Sequence, residues 1–258
     1  RSIGLCISDE KYRVIGFRLT RHYYTIGVFA LSGREIAPRQ VFQIGETAPQ
    51  VIIDQACRTI NKLIRDDLGH SFLAVGAAVP GPYFQDNGEI AMISTFPGWK
   101  NIKIQQMMQA QISIPVIVDH DANAGALAES CLVAENDMYD TLVYISAGQG
   151  IGAGIVEQGE VYRGAQGIAG EIGHTCIDFR GEPCDCGGRG CLTLYASTIA
   201  ITKKMRLAFS DPNMTFMQVV QLIRSKNETA LRIFHESMQY LGIGIVNLIY
   251  TYNPGCIV

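Results

Sequence analysis

Between Glu171 and Leu192 the chain carries Glu171-Ile-Gly-His174 and then Cys184-Asp-Cys186-Gly-Gly-Arg-Gly-Cys191-Leu192. No other stretch constrains the fold as much, because one histidine and three cysteines so close in sequence can converge on a single point. Zn²⁺ favours four N or S ligands in a closed tetrahedron, and His174, Cys184, Cys186 and Cys191 supply such a set. The glycines between the thiols let the backbone turn tightly around an ion. A ligating histidine keeps its second ring nitrogen free for another partner, so His174 can tie the metal loop to a binding site.

The bulk composition sets wider bounds. With 258 residues, 48% hydrophobic and 17% charged, the chain can bury one large core or two moderate ones. A net charge of −3 and a pI of about 6.0 give this segment no basic footprint for nucleic acid. No apolar run reaches the roughly 20 residues that a membrane helix needs, and no secretory leader pattern opens the sequence. Of the eight cysteines, three lie in the metal stretch; Cys6, Cys57, Cys131, Cys176 and Cys256 are scattered among apolar neighbours. Scattered cysteines in an acidic chain without a leader are expected as buried, reduced thiols of a cytoplasmic protein. Arg1 and the closing Asn253-Pro-Gly-Cys-Ile-Val258 read as cut ends, the latter a turn running into a strand. Further segments are therefore expected beyond both.

Along the chain, Tyr12 to Leu31 predicts two strands turning at Thr20-Arg21-His22. Apolar residues at Ile52, Ile53, Ala56, Ile60, Leu63 and Ile64 predict a helix from Ala48 to Leu68, stopped by Gly69. Phe72 to Val79 reads as a buried strand ended by Pro80-Gly81-Pro82, and Pro115 to Val118 as another, leading into Asp119-His120-Asp121. Ala122 to Ala134 reads as a helix. Leu142 to Ile145 and Ile155-Val156 read as strands on either side of Ser146 to Gly154. Helices are predicted from Leu192 to Phe209, Phe216 to Ser225 and Thr229 to Tyr252. A strand, hairpin, helix, strand order thus occurs on both sides of about residue 120. It predicts an α/β protein of two lobes with a cleft between them.

Two further motifs bear on chemistry. Gly148-x-Gly150-x-Gly152-x-Gly154 is either a backbone cradle for a phosphate or a tight hairpin. It is not a dinucleotide fingerprint, since no helix follows. Asp121 is either a helix N-cap or a carboxylate placed to accept from, or act as general base on, a hydroxyl. Glu171 and His174 carry groups that can exchange hydrogen bonds with sugar hydroxyls. Trp99, the single tryptophan, reads as a packing anchor.

Taken together, these pieces resemble the ROK family of repressors, open reading frames and sugar kinases. The resemblance rests on Pro80-Gly81, Phe96-Pro-Gly-Trp99-Lys-Asn101, Asp121-Ala-Asn123, the turn around Gly148 to Gly154, and the Glu-x-Gly-His and Cys-x-Cys-Gly-x-x-Gly-Cys-Leu signature. It implies a two-lobed α/β fold of the actin/hexokinase-like ATPase (ribonuclease H-like) type with a zinc-binding loop, shortened at its C-terminus. An N-terminal lobe is expected over 1–120 and a C-terminal lobe over 121–258, with a winged-helix DNA-binding head upstream.

The departures decide which branch it resembles. Kinases of the family open with an Asp-x-Gly-Gly-Thr phosphate loop; aligned here is Gly16-Phe-Arg18-Leu-Thr20-Arg21-His22. Arg18 stands in place of the acid, and Thr20 and Arg21 in place of the glycines that let the γ-phosphate approach. His120 stands where kinases carry Asn before the catalytic Asp, a pair similar to that of NagC/XylR/Mlc-type repressors. Thr193 stands where kinases carry the Glu of Cys-Leu-Glu. The resemblance therefore implies the sugar- or sugar-phosphate-sensing effector domain of a transcriptional regulator of carbohydrate metabolism, not an enzyme. Ligand contacts would come from Gly81, Thr95, His120, Asp121, Glu171 and His174. A protonated His120 would favour an anionic sugar phosphate. Structural zinc would sit on His174, Cys184, Cys186 and Cys191. ATP and Mg²⁺ are not expected; operator DNA would be bound through the head, in a homodimer or dimer of dimers. The rival reading is an ATP-dependent sugar kinase with a degenerate phosphate loop and Asp121 as base. A third is a regulator titrated by a transporter protein.

Overall fold

The computed structural model of the chain describes residues 9–45, 47–90, 98–133 and 139–258. It divides into two compact units. One runs to Asp121 and takes in Ala165–Ile168; the other comprises Ala122–Gly164 and Ala169–Val258.

The first unit is built on a five-stranded sheet. Strands β1 (Tyr12–Leu19), β2 (Tyr23–Ala30) and β3 (Glu35–Gln43) form an antiparallel meander. Helix α1 (Pro49–Asp66) then crosses to β4 (Ser71–Val79), which lies parallel to β1. A small ribbon of β5 (Tyr83–Phe84) and β6 (Glu89–Ile90), then helix α2 (Ile104–Gln109), lead to β7 (Val116–His120), parallel to β4. The sheet order is β3-β2-β1-β4-β7. On β1, Ile15, Phe17 and Leu19 point into the core while Arg18 faces out, as period-two alternation demands. Helix α1 meets these residues with Ile52, Ile53, Ala56, Cys57 and Ile60, all buried. Trp99 is 1% exposed within the same core, as a packing anchor should be. Burial pushes the Cys57 thiol up to about 11.

Strand β3 and helix α2 were not foreshadowed by the residue pattern. Strand β3 is largely exposed and contains Pro38, which the ladder tolerates because β3 is a sheet edge.

The second unit opens with α3 (Asp121–Val133), whose first residue closes the preceding unit. Strands β8 (Thr141–Ala147), β9 (Ile151–Glu157) and β10 (Glu160–Val161) follow as an antiparallel run. After the cysteine stretch come α4 (Thr193–Ala196), α5 (Thr198–Ala208), α6 (Phe216–Arg224), α7 (Glu228–Tyr252) and β11 (Cys256–Ile257). Strand β11 pairs parallel to β8, giving the order β10-β9-β8-β11. Helices α5, α6 and α7 share a core of Ile201, Met205, Val219, Ala230 and Ile233.

Three expectations are corrected. The predicted helix from Leu192 to Phe209 is two helices, because Ser197 leaves helical geometry and its side chain caps α5 by accepting from the Ala200 N–H at 3.1 Å. The glycine repeat is not one turn: the hairpin tip ends at Gly150, and Gly152 and Gly154 lie inside β9. Among the described scattered cysteines only Cys57 is buried; Cys131 and Cys176 are exposed and Cys256 is half-buried. Cys6 lies outside the described residues.

Candidate functional site

The cysteine stretch is pinned at both ends by core residues. Ile172, in a 3₁₀ turn over Ile172–His174, and Leu192 both bury in the core with Val143, Ile151, Ala153 and Leu248. Glu171 precedes that turn and is half-buried; its carbonyl accepts from the His174 N–H at 3.0 Å. Gly173 is required within Glu-x-Gly-His because a Cβ there would lie 2.1 Å from the Ile151 carbonyl oxygen. The loop folds on itself: Cys184 N–H donates to the Gly188 carbonyl and Gly187 N–H to the Cys184 carbonyl, both at 2.9 Å. The Arg189 guanidinium donates to the Gly181 carbonyl at 2.8 Å.

This folding brings one donor atom from each of His174, Cys184, Cys186 and Cys191 within 4.8 Å of one another. Cys184 Sγ lies 3.6 Å from His174 Nδ1, and Cys186 Sγ lies 3.6 Å from Cys191 Sγ. Zinc bonds of about 2.3 Å to sulfur and about 2.0 Å to nitrogen require tetrahedral edges of about 3.5–3.8 Å. The two pairs match those edges, so the residues fit the ion. Burial pushes the Cys191 thiol up to about 12, with the adjacent thiols adding to the effect. The Gly188 N–H, by donating to Cys186 Sγ, holds that thiol below its ordinary value.

A second cluster lies at the C-terminal ends of the first unit's strands. β7 ends in His120, 8% exposed, and α3 begins at Asp121. His120 Nε2 lies 3.1 Å from Asp121 Oδ1, and Arg18 Nη2 lies 4.0 Å from Asp121 Oδ2. The Arg18 side chain is 57% exposed, so this ion pair adds little stability, about 0–1 kcal/mol. Its consequence is placement: a guanidinium of β1 stands against the carboxylate. In the following turn, Thr20 uses its own side chain, donating to the Tyr23 carbonyl at 2.7 Å and accepting from the Tyr23 N–H at 3.2 Å. Arg21 in the same turn has a buried guanidinium nitrogen with no hydrogen-bond partner among the described residues, and burial lowers its pKa.

Gly81 follows β4, half-buried, at a cis Gly81–Pro82 bond. His120 and Asp121 are thus brought together in the first unit, and Glu171 and His174 in the second. Thr95 lies outside the described residues. At the β8–β9 tip the Gly148 N–H already donates to the Gly150 carbonyl, and the Gly148 carbonyl accepts from Thr198 N–H, both at 2.9 Å. Arg18, singled out in the sequence for standing where the family's kinases carry an acid, is on β1 the outward member of an alternating strand.

The α/β architecture is of the hexokinase-like class, as its superposition on solved structures of that fold shows. The chain belongs to the ROK family, whose model matches residues 14–258. It is 30% identical to the xylose repressor of Bacillus subtilis over 83% of this chain and 54% of that protein. It is 34% identical to a glucokinase of Halalkalibacterium halodurans over 72% of this chain and 60% of that protein. The ROK hexokinase of Thermus thermophilus superposes with a TM-score of 0.78 at 28% identity, covering 95% of this chain and 80% of the hexokinase. The chain spans about half the length of the Bacillus repressor. Relatives of similar identity thus include both repressors and kinases, and the His174, Cys184, Cys186, Cys191 cluster fits the zinc motif of the family. No helix among the described residues is long and apolar enough to cross a membrane.

Proposed function

We propose that this chain is the sugar-sensing part of a ROK transcriptional regulator. The observation that carries the reading is Arg18 against Asp121 at 4.0 Å. A general base needs an oxygen free to take a proton. Here Oδ2 faces Arg18 and Oδ1 faces His120, which suits Asp121 to accept from a sugar hydroxyl rather than to deprotonate it. The turn beside it is filled by Thr20 and Arg21, where the family's kinases carry glycines that admit the γ-phosphate.

The sugar contacts in this reading are Gly81, Thr95, His120, Asp121, Glu171 and His174, and an aldose such as the xylose of the repressors' name is the simplest effector. Zinc, when bound, supplies a structural crosslink and no reactive group. Residues Ile172 and Leu192, buried on either side of the loop, then hold Glu171 and His174 in place. Ligand binding shifts the regulator between two states only as far as its affinities for them differ, and the output passes to a DNA-binding head in an oligomer. These assignments, with a division into lobes at residues 120 and 121 and a cytoplasmic location, are supported by the resemblance of motifs to the repressors.

Titration calorimetry with pentoses, hexoses, their phosphates and Mg·ATP tests the reading. Binding of a sugar or sugar phosphate that Asp121→Ala abolishes, with no heat from Mg·ATP, supports it. Sugar-dependent consumption of ATP overturns it in favour of a kinase, the second reading, which the 34% identity to a glucokinase favours.

A further inference from the structure

The residues that fit zinc, one histidine and three cysteines, have a fourth thiol beside them. Cys176 lies two residues after His174, is exposed, and forms an isolated antiparallel bridge with the ligand Cys191. The hydrogen bonds around that bridge fix its type. Ile177 N–H donates to the Gly190 carbonyl at 2.9 Å, and Leu192 N–H donates to the Thr175 carbonyl at 3.0 Å. The flanking residues exchange the bonds, so Cys176 and Cys191 are a non-hydrogen-bonded pair, with Cα atoms about 4.5 Å apart and side chains on one face. Disulfides occur at Cα separations of about 4.4–6.8 Å. The two Cβ atoms of such a pair stand about 4.5–5.5 Å apart and need about 3.5–4.5 Å, an adjustment of about 1 Å. Cys191 Sγ faces Cys186 Sγ and the His174 carbonyl at 3.6 and 3.5 Å, so a rotation of its side chain would leave the metal cluster.

We propose that Cys176 is an oxidation site through which peroxide dismantles the zinc centre. Of the bridged pair, exposed Cys176 is attacked first, because Cys191 is 1% exposed and access governs reactivity; the likewise exposed Cys186 has its sulfur engaged in the metal cluster. The Cys176 sulfur attacks one oxygen of hydrogen peroxide and the O–O bond breaks. A sulfenic acid forms, and the second oxygen leaves as water after taking up the thiol proton. The Cys191 thiolate, turning from zinc, attacks the sulfenic sulfur. An S–S bond forms, the S–O bond breaks, and hydroxide leaves to become water on taking up a proton. One thiol, one zinc-held thiolate, one peroxide and one proton from solvent thus give one disulfide and two waters. Zinc keeps only His174, Cys184 and Cys186, a set that lacks the closed fourth position of a structural site. A dithiol reductant and added zinc restore the centre. The inference stands whether the protein senses or phosphorylates its sugar.

The test uses the zinc-loaded protein, hydrogen peroxide, a chromogenic chelator and tryptic mapping. Cleavage after Arg163, Arg180, Arg189 and Lys203 separates Cys176 (residues 164–180), Cys184 with Cys186 (181–189) and Cys191 (190–203). The expected result is zinc release accompanied by a disulfide between peptides 164–180 and 190–203. Release is expected to slow at least about tenfold in Cys176→Ser, with reduced Cys176→Ser still binding one zinc per chain. Cys176→Thr is the second variant should the serine form fail to fold. Equal release rates in wild type and variant would overturn the proposal. So would a disulfide joining 181–189 to 190–203, or one within 181–189, as the first product.

Discussion

Replacing Gly154 by alanine is expected to destabilise the second unit, while the same change at Gly150 is expected to be nearly silent. Both glycines belong to one sequence repeat that could be read as a phosphate cradle. In the fold they do different things. A Cβ on Gly154 would lie 2.2 Å from the Ala122 carbonyl oxygen and 2.6 Å from the Ala126 Cβ, whereas one on Gly150 or Gly148 would meet nothing within 4 Å. Ala122 and Ala126 are fully buried, so β9 and α3 must separate by about 1 Å to reach ordinary contact. Overpacking of a close-packed interior costs about 1–3 kcal/mol. The obstacle at Gly154 is helix backbone that cannot swing aside, which puts the cost near the upper end. The narrower unfolded ensemble of alanine offsets about 0.4–1 kcal/mol. The net loss of about 2 kcal/mol corresponds to a Tm lower by about 4–8 °C for a chain of this size. Thermal and urea unfolding followed by circular dichroism measure it. A G154A protein melting within 1 °C of the parent, or a G150A protein losing as much as G154A, would refute the assignment of this glycine to helix–strand approach.

Other consequences follow from the same geometry. Leu192→Ala empties a fully buried position next to a zinc ligand and is expected to cost about 2–5 kcal/mol in urea unfolding; a loss below about 1 kcal/mol would show that the loop is not anchored there. Because the metal-free Cys191 thiol is pushed up to about 12, it is protonated throughout pH 6–8 and zinc must displace its proton. Log zinc affinity is therefore expected to rise by at least about one unit per pH unit across that range, and a flat competition titration would contradict it. Combining Arg18→Asp with Thr20→Gly and Arg21→Gly is expected to create Mg·ATP binding that the parent lacks. If the parent binds Mg·ATP equally well, the filled turn is not what excludes the nucleotide.

The hairpin of β1 and β2, helix α1, the strand entering Pro80-Gly81 and the long α7 were legible in sequence because each buries a periodic apolar face. The metal cluster was legible because its donors lie close in the chain and their chemistry is specific. Strand β3 escaped because an exposed edge with Pro38 has no apolar alternation to read. The break at Ser197 was hidden because helical periodicity resumes immediately after it. That Gly154 is needed within β9 depends on how near α3 comes to the strand, a tertiary fact that no local pattern carries. The exposure of Cys131 and Cys176 was missed for a similar reason: apolar sequence neighbours do not report which face of an element is covered. At the Asp121 cluster the residues were legible singly, but that both carboxylate oxygens are faced, one by Arg18 and one by His120, needed the sheet order that sets β1 and β7 on either side of β4.

In the proposed reading this chain binds a sugar without using ATP. Titration calorimetry of the zinc-loaded protein against a sugar panel and against Mg·ATP, with a coupled assay for ADP, tests it most directly. Saturable heat from a sugar or sugar phosphate is expected, with none from Mg·ATP and no ADP. Heat from Mg·ATP together with sugar-dependent ADP release would contradict it and make Asp121 a catalytic base after all.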